Sequence, residues 1–108
     1  KISILKEVSV FKKYKMAVCA DGFTVSIQAD SGAYCSPRNN EGPYTAVEVG
    51  YPSQVDPLLL PYAEDPDNPT NTVYGWVPTA VMLECLESHG GWVGGEIPPM
   101  EIADKEEI

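Results

Sequence analysis

Four side chains with metal-binding or nucleophilic chemistry stand out in this 108-residue chain: Cys19, Cys35, Cys85 and the single histidine, His89. Together they match the ligand set of a Cys₃His zinc site. Cys85 and His89 are spaced so that a helix would turn both to one side, as it does for paired zinc ligands. Against this, no Cys-x-x-Cys knuckle is present and the cysteines are widely scattered. Free cysteine is among the most buried residue types. The expected roles are therefore core thiols and a helix-end histidine, with no metal and no cofactor. A Cys85 nucleophile with His89 as its base has the right components. Cys85, however, falls on the apolar face of its helix, where burial raises a thiol's pKa and leaves it inert. No Ser-His-Asp arrangement, Walker loop or dinucleotide fingerprint occurs. Gly90-Gly91 and Gly94-Gly95 flank Trp92-Val93 without a following helix, so they do not make a phosphate cradle. The chain is expected not to be an enzyme.

Binding chemistry is better represented. The segment Tyr34-Cys35-Ser36-Pro37-Arg38-Asn39-Asn40-Glu41-Gly42-Pro43-Tyr44 holds the only arginine of the chain. A guanidinium grips phosphate or carboxylate through two parallel hydrogen bonds. Asn39 and Asn40 can read a polar edge, and Tyr34 and Tyr44 can stack on a ring or close a pocket. Arg38, Asn39, Tyr34 and Tyr44, helped by Lys12 or Lys13, are the expected ligand-binding residues. The competing expectation is a solvated loop, with Arg38 paired to a surface carboxylate. Glu64-Asp65-Pro66-Asp67 gathers three carboxylates without the EF-hand pattern for calcium. With Glu84 and Glu87 of the predicted helix, these acids are the expected contact for a basic partner. Tyr74 and Trp76 share a face on a two-residue period, so a core or interface role is expected for both.

The elements that must position these residues follow from pattern. Ile2 to Phe11 alternates imperfectly and predicts a half-buried strand. Met16 to Ala20 and Phe23 to Ala29 flank Asp21-Gly22, the signal for a hairpin with a type I′ turn. Asp30 to Pro43 is a loop, with Ala33 to Cys35 a short extended piece inside it. Tyr44 to Tyr51 is rich in β-formers and predicts a strand. Pro52 to Thr72 carries five prolines and is irregular, with Leu58-Leu59-Leu60 holding it to the core. Val73 to Val77 predicts a short strand. A helix starts with Pro78 at its first position and sets Val81, Met82, Cys85 and Leu86 on one face. His89 suits the negative C-terminal pole, and Gly90-Gly91 supplies the left-handed stop. Trp92, Val93 and Ile97 are expected to pack back on the domain. From Glu101 the tail is charged and expected to fray. Strands first and one helix late give an α+β class: an antiparallel sheet of four to five strands with one C-terminal helix on a face. An all-β barrel with a capping helix is the alternative. Residues 1–100 form a single domain in this reading, and 101–108 an acidic tail.

The formal net charge is −9, unevenly spread. Residues 1–54 carry six basic groups and five acids, net +1; residues 55–108 carry Lys105 and eleven acids, net −10. Counterion release needs basic groups, so direct DNA or RNA binding is not expected. Acidity favours solubility and steers toward a basic surface. No stretch approaches the roughly 20 apolar residues of a membrane span, and no secretory leader pattern is visible. An odd number of cysteines suits a reducing, cytoplasmic setting.

Tyr74-Gly75-Trp76-Val77-Pro78 leading into a helix that stops at His89-Gly90-Gly91, after Pro61-Tyr62-Ala63-Glu64-Asp65, resembles small accessory proteins encoded by tailed bacteriophages. The resemblance implies a class: inhibitors of host defence that block a nucleic-acid-binding surface or sequester a nucleotide signal in the host cytoplasm. It implies no particular functional residues. Three functions are therefore expected in order: a non-enzymatic inhibitor that occupies a basic surface of a host defence protein; a small-ligand binder that sequesters a nucleotide signal, with its pocket at an oligomer interface; and a structural or virion-associated protein.

Overall fold

The structure, a computed structural model, describes residues 13–102. The predicted strand Ile2 to Phe11, Lys12, and the tail beyond Ile102 lie outside the described residues.

The Asp-Gly hairpin joins strands β1 (Ala17–Cys19) and β2 (Thr24–Gln28), with Ala17 opposite Val25 and Val18 opposite Thr24. Its turn is one residue longer than a type I′ turn. The Gly22 N–H donates to the Cys19 carbonyl at 2.9 Å, and the Cys19 N–H to the Phe23 carbonyl at 2.8 Å. Within the turn only Gly22 has positive φ, +96°. This is the three-residue loop with a glycine bulge. Asp21 stays out of the left-handed region, and its carboxylate accepts the Phe23 N–H at 2.8 Å, an Asx turn that stabilises the three-residue form.

Strand β3 (Ala46–Gly50) pairs with β2, and β4 (Val73–Pro78) pairs with β3. A short strand missed by sequence pattern, β5 (Trp92–Gly94), pairs with β1. All pairings are antiparallel and the order is β4-β3-β2-β1-β5. Alternation puts Ala17, Cys19, Val25, Ile27, Val47 and Val49 on one buried face. The helix α1 (Thr79–Ser88) buries Thr79, Met82, Cys85 and Leu86 in that core. The expected α+β class, with five strands and one helix, is therefore the observed one. Pro78 closes β4 opposite Ala46, one residue earlier than its predicted place inside the helix. At the other end the Gly91 N–H donates to the Leu86 carbonyl and the Gly90 N–H to the Glu87 carbonyl. That double bond is the Schellman stop.

Pro52 to Thr72 is irregular, as its prolines require, apart from a 3₁₀ turn at Leu60–Tyr62. Leu59 is fully buried beneath it. Ile97 packs against the core, but Trp92 and Val93 are exposed rather than packed back. Glu101 is anchored: its N–H donates to the Tyr44 carbonyl at 2.8 Å, and its carbonyl accepts the Thr79 hydroxyl at 2.6 Å. The charged tail thus has a fastened first residue, because the buried Thr79 hydroxyl and the Tyr44 carbonyl both need partners there.

Gly95 ends β5 with φ +74°, and a Cβ at that position would overlap the carbonyl oxygen of Met16. Gly95→Ala should therefore separate β5 from β1 at a cost of at least about 2 kcal/mol. A lower urea midpoint with unchanged slope is the expected result; an unchanged midpoint would contradict this packing.

Candidate functional site

Opposite the single residue Glu48 of β3, strand β4 supplies two residues, Gly75 and Trp76. Val49 pairs with Tyr74 and Val47 with Val77, so the register shifts by one between them. The extra residue makes a bulge. Tyr74 and Val77 both point into the core, and Trp76 is turned out at φ +48° and half exposed. The predicted shared face of Tyr74 and Trp76 is lost to this bulge. Positive φ for a bulky residue is a backbone outlier, of order 1–3 kcal/mol, and such strain clusters at functional sites.

The bulge is stabilised by the loop beside it. The Trp76 N–H donates to the Tyr34 carbonyl at 3.1 Å, and the Tyr34 N–H to the Glu48 carboxylate at 2.9 Å. The Tyr34 and Trp76 rings stack with centroids 4.8 Å apart and planes 20° from parallel. The Arg38 guanidinium lies 5.9 Å from the Tyr34 ring centre, within cation–π range. Among the described residues no carboxylate stands within ion-pair distance of Arg38. Strand β4 and the Tyr34 loop thus present two stacked aromatic rings and a cation on the surface.

The other sequence-selected binding residues do not join this platform. Tyr44 is 1% exposed, and its hydroxyl donates to the Asn39 carbonyl at 2.8 Å. The Asn39 side chain accepts the N–H groups of Glu41 and Gly42, both at 2.9 Å. These two residues shape the loop through their hydrogen bonds. Lys13 pairs with Asp30 at 3.7 Å. Trp76, expected in the core or at an interface, is half exposed and does not join the core. Gly75 inside a strand pattern was the available signal of a bulge.

Of the acids proposed for a partner, Glu64, Asp65, Asp67, Glu84 and Glu87 are all exposed. Among the described residues none is in an ion pair. Asp65 is partly engaged, accepting the Asn68 side-chain amide at 2.9 Å and the Asp67 N–H at 3.3 Å.

A second cluster is buried. His89 follows α1, and its ring is clamped between two carboxylates. Nδ1 lies 2.7 Å from Asp21 Oδ2, and Nε2 lies 2.8 Å from Asp56 Oδ2. The Phe23 ring stacks on it, centroids 3.8 Å apart and 4° from parallel. Asp56 is 5% exposed and accepts the Leu58 N–H at 2.8 Å with its other oxygen. Burial disfavours the charged imidazole, but the hydrogen bonds and charges of Asp21 and Asp56 outweigh it and raise the His89 pKa. Asp21 is held below its usual pKa by the Phe23 N–H and by His89. Cys85 sits beside this group, fully buried, its pKa pushed far up by burial and then by Asp56. Burial thus favours the protonated thiol, and both imidazole nitrogens of His89 are engaged by carboxylates. Cys35 is separate; its thiol donates to the Asp30 carbonyl at 3.2 Å.

Fold and sites together define a small α+β domain with an exposed aromatic–cationic platform and a buried carboxylate–imidazole clasp. Comparison of the chain with family models, with curated proteins and with solved structures finds no match. Among the described residues no helix is long and apolar enough to cross a membrane.

The clasp sets the pH dependence of stability. The folded-state pKa of His89 is raised, so its contribution is complete below the unfolded value of about 6.5 and is lost as pH rises through the folded value. That of Asp21 is lowered from 3.8, so its contribution is present above that value and is lost as pH falls through the folded one. Urea unfolding of the wild type should show stability declining as pH rises above about 6.5. His89→Gln should lack that decline; parallel curves for the two proteins would contradict an imidazolium clasp.

Proposed function

We propose that this protein is a non-enzymatic binding module that captures a planar anionic ligand of the nucleotide class on Tyr34, Trp76 and Arg38. The observation that carries the reading is Trp76, a bulky residue in the left-handed region, turned out at a bulge and stacked on Tyr34. An ordinary strand would bury or pair this side chain. Here the hydrogen bonds of Tyr34 to Glu48 and Trp76 offset the strain and hold an aromatic face in water. Base–aromatic stacking contributes about 1–3 kcal/mol per base. The Arg38 fork adds charge-assisted hydrogen bonds to a phosphate. The resemblance to phage accessory proteins gives the setting: sequestration of a nucleotide signal of host defence in the host cytoplasm.

Thermal shift against a panel of mononucleotides, dinucleotides and cyclic nucleotides tests this. A ligand at about 100 times its Kd adds about 2.7 kcal/mol to stability. With Trp92→Phe as background, Trp76 is the remaining tryptophan, and its fluorescence should quench on binding. Trp76→Ala and Arg38→Ala should each weaken binding by about 5- to 100-fold. No shift across the panel, or equal affinity in both variants, would reject the site.

A second reading rests on the five exposed acids. In it, Glu64, Asp65, Asp67, Glu84 and Glu87 contact a basic surface on a host defence protein and block it. Attraction of this kind weakens as salt shortens the screening length. Host proteins retained by the wild type at low salt should be released at high salt, and should be missed by a variant with all five acids changed to amides. Identical retention by wild type and variant would reject this reading.

A further inference from the structure

The donor atoms of Asp56, Cys85 and His89 all lie within 4.8 Å of one another, and all three residues are buried. They are an oxygen, a sulfur and a nitrogen, the donor types of zinc centres. Bond lengths of about 2.0–2.3 Å to a tetrahedral zinc place such donors about 3.2–3.8 Å apart, so small side-chain movements bring these three onto one ion. Cys85 and His89 are presented by the last turn of α1 and its cap, and Asp56 by the proline-rich loop. Asp21 completes the pattern from outside. It binds Nδ1 at 2.7 Å, the carboxylate–histidine contact that orients a metal-bound imidazole. The Phe23 ring, stacked at 3.8 Å, holds the imidazole plane.

We propose that Asp56, Cys85 and His89 form a binding site for zinc or a similar divalent transition metal, with Asp21 as the positioning carboxylate. A dication set among these donors meets the Asp56 and Asp21 carboxylates and a thiolate, so its charge is compensated where it is buried. On binding, the thiol proton and any proton on the imidazole nitrogen that faces the ion leave to solvent. Thiolate and imidazole donors select zinc over magnesium or calcium. Three protein ligands leave the fourth position to a solvent molecule. The site is independent of the Tyr34–Trp76–Arg38 platform.

The test uses the full chain, stripped with chelator and titrated with zinc or cobalt(II) alone. Native mass spectrometry should show one ion per chain. Cobalt should give the thiolate charge-transfer band and the d–d bands of a tetrahedral site. The ion should raise Tm, and chelator should reverse the rise. Cys85→Ala should lose the charge-transfer band. Because core variants can fail to fold, Asp21→Asn, whose side chain is half exposed, is the second probe. It should keep the fold and weaken metal affinity about 10- to 100-fold. Arg38→Ala should bind metal as the wild type does. No retained ion, a cobalt spectrum without the thiolate band, or full affinity in Asp21→Asn would overturn the proposal; the last two would point to carboxylates on the surface.

Discussion

The imidazole of His89 ties together three segments that are distant in sequence: the β1–β2 turn through Asp21, the proline-rich loop through Asp56, and the end of α1. The loop from Pro52 to Thr72 has little regular structure of its own, and ordering it costs conformational entropy. Leu59 secures it by burial, and Asp56 secures it by charge. A lone carboxylate at 5% exposure would be heavily penalised, so Asp56 and the charged form of His89 depend on each other. Loss of one leaves the other buried and unpaired, which is why breaking such a pair is more damaging than its net worth suggests. The Asx turn at Asp21 belongs to the same device. One oxygen of that carboxylate shapes the turn and the other holds the ring.

The second constraint is the bulge in β4. It reconciles a buried Tyr74 and a buried Val77, which an unbroken strand would put on opposite faces. Gly75 and Trp76 absorb the extra residue. The same bulge provides the N–H that the Tyr34 loop accepts, so the edge of the sheet is covered where β4 would otherwise expose its ladder. The Tyr34 loop is shaped in turn by Asn39, Tyr44 and Cys35, whose hydrogen bonds stay within it. Tyr44 is buried in this frame and the Asn39 side chain caps its backbone, beside the more exposed Tyr34 and Arg38.

How much of this was legible in the sequence depends on whether the signal was local. The hairpin, the helix face at Met82, Cys85 and Leu86, and the glycine stop are set by residues a few positions apart, and pattern alone finds them. The turn type was misread because the Asp21 side chain serves a backbone N–H, which favours the longer loop over type I′. Strand β5 was missed because two residues between glycine pairs give no period; it exists because β1 offers an unpaired edge. The partnership of His89 was legible only in part. Its neighbour Cys85 follows from helical spacing, but Asp56 and Asp21 arrive through tertiary folding, and nothing in a run of prolines marks one aspartate as buried.

The two clusters differ in what they demand of the chain. The clasp has every polar group satisfied, and among the described residues no buried side-chain nitrogen or oxygen lacks a partner. Such a group gains from rigidity, and a ligand enters it only by replacing what is already bonded, as a dication replaces protons. The platform is the reverse case. Trp76 is half exposed at an unfavourable φ, and among the described residues no carboxylate stands at ion-pair distance from the Arg38 guanidinium. The frame holds these groups in place without using their recognition chemistry, and that surplus is what a binding site requires. A mutation in the clasp is therefore read first in stability, and, under the proposed binding role, a mutation at Trp76 or Arg38 in affinity. Trp76 also has the opposite sign in stability: replacing it with glycine relieves the left-handed strain while removing the stacking face. A variant that is no less stable yet binds less is the signature of a residue kept for function.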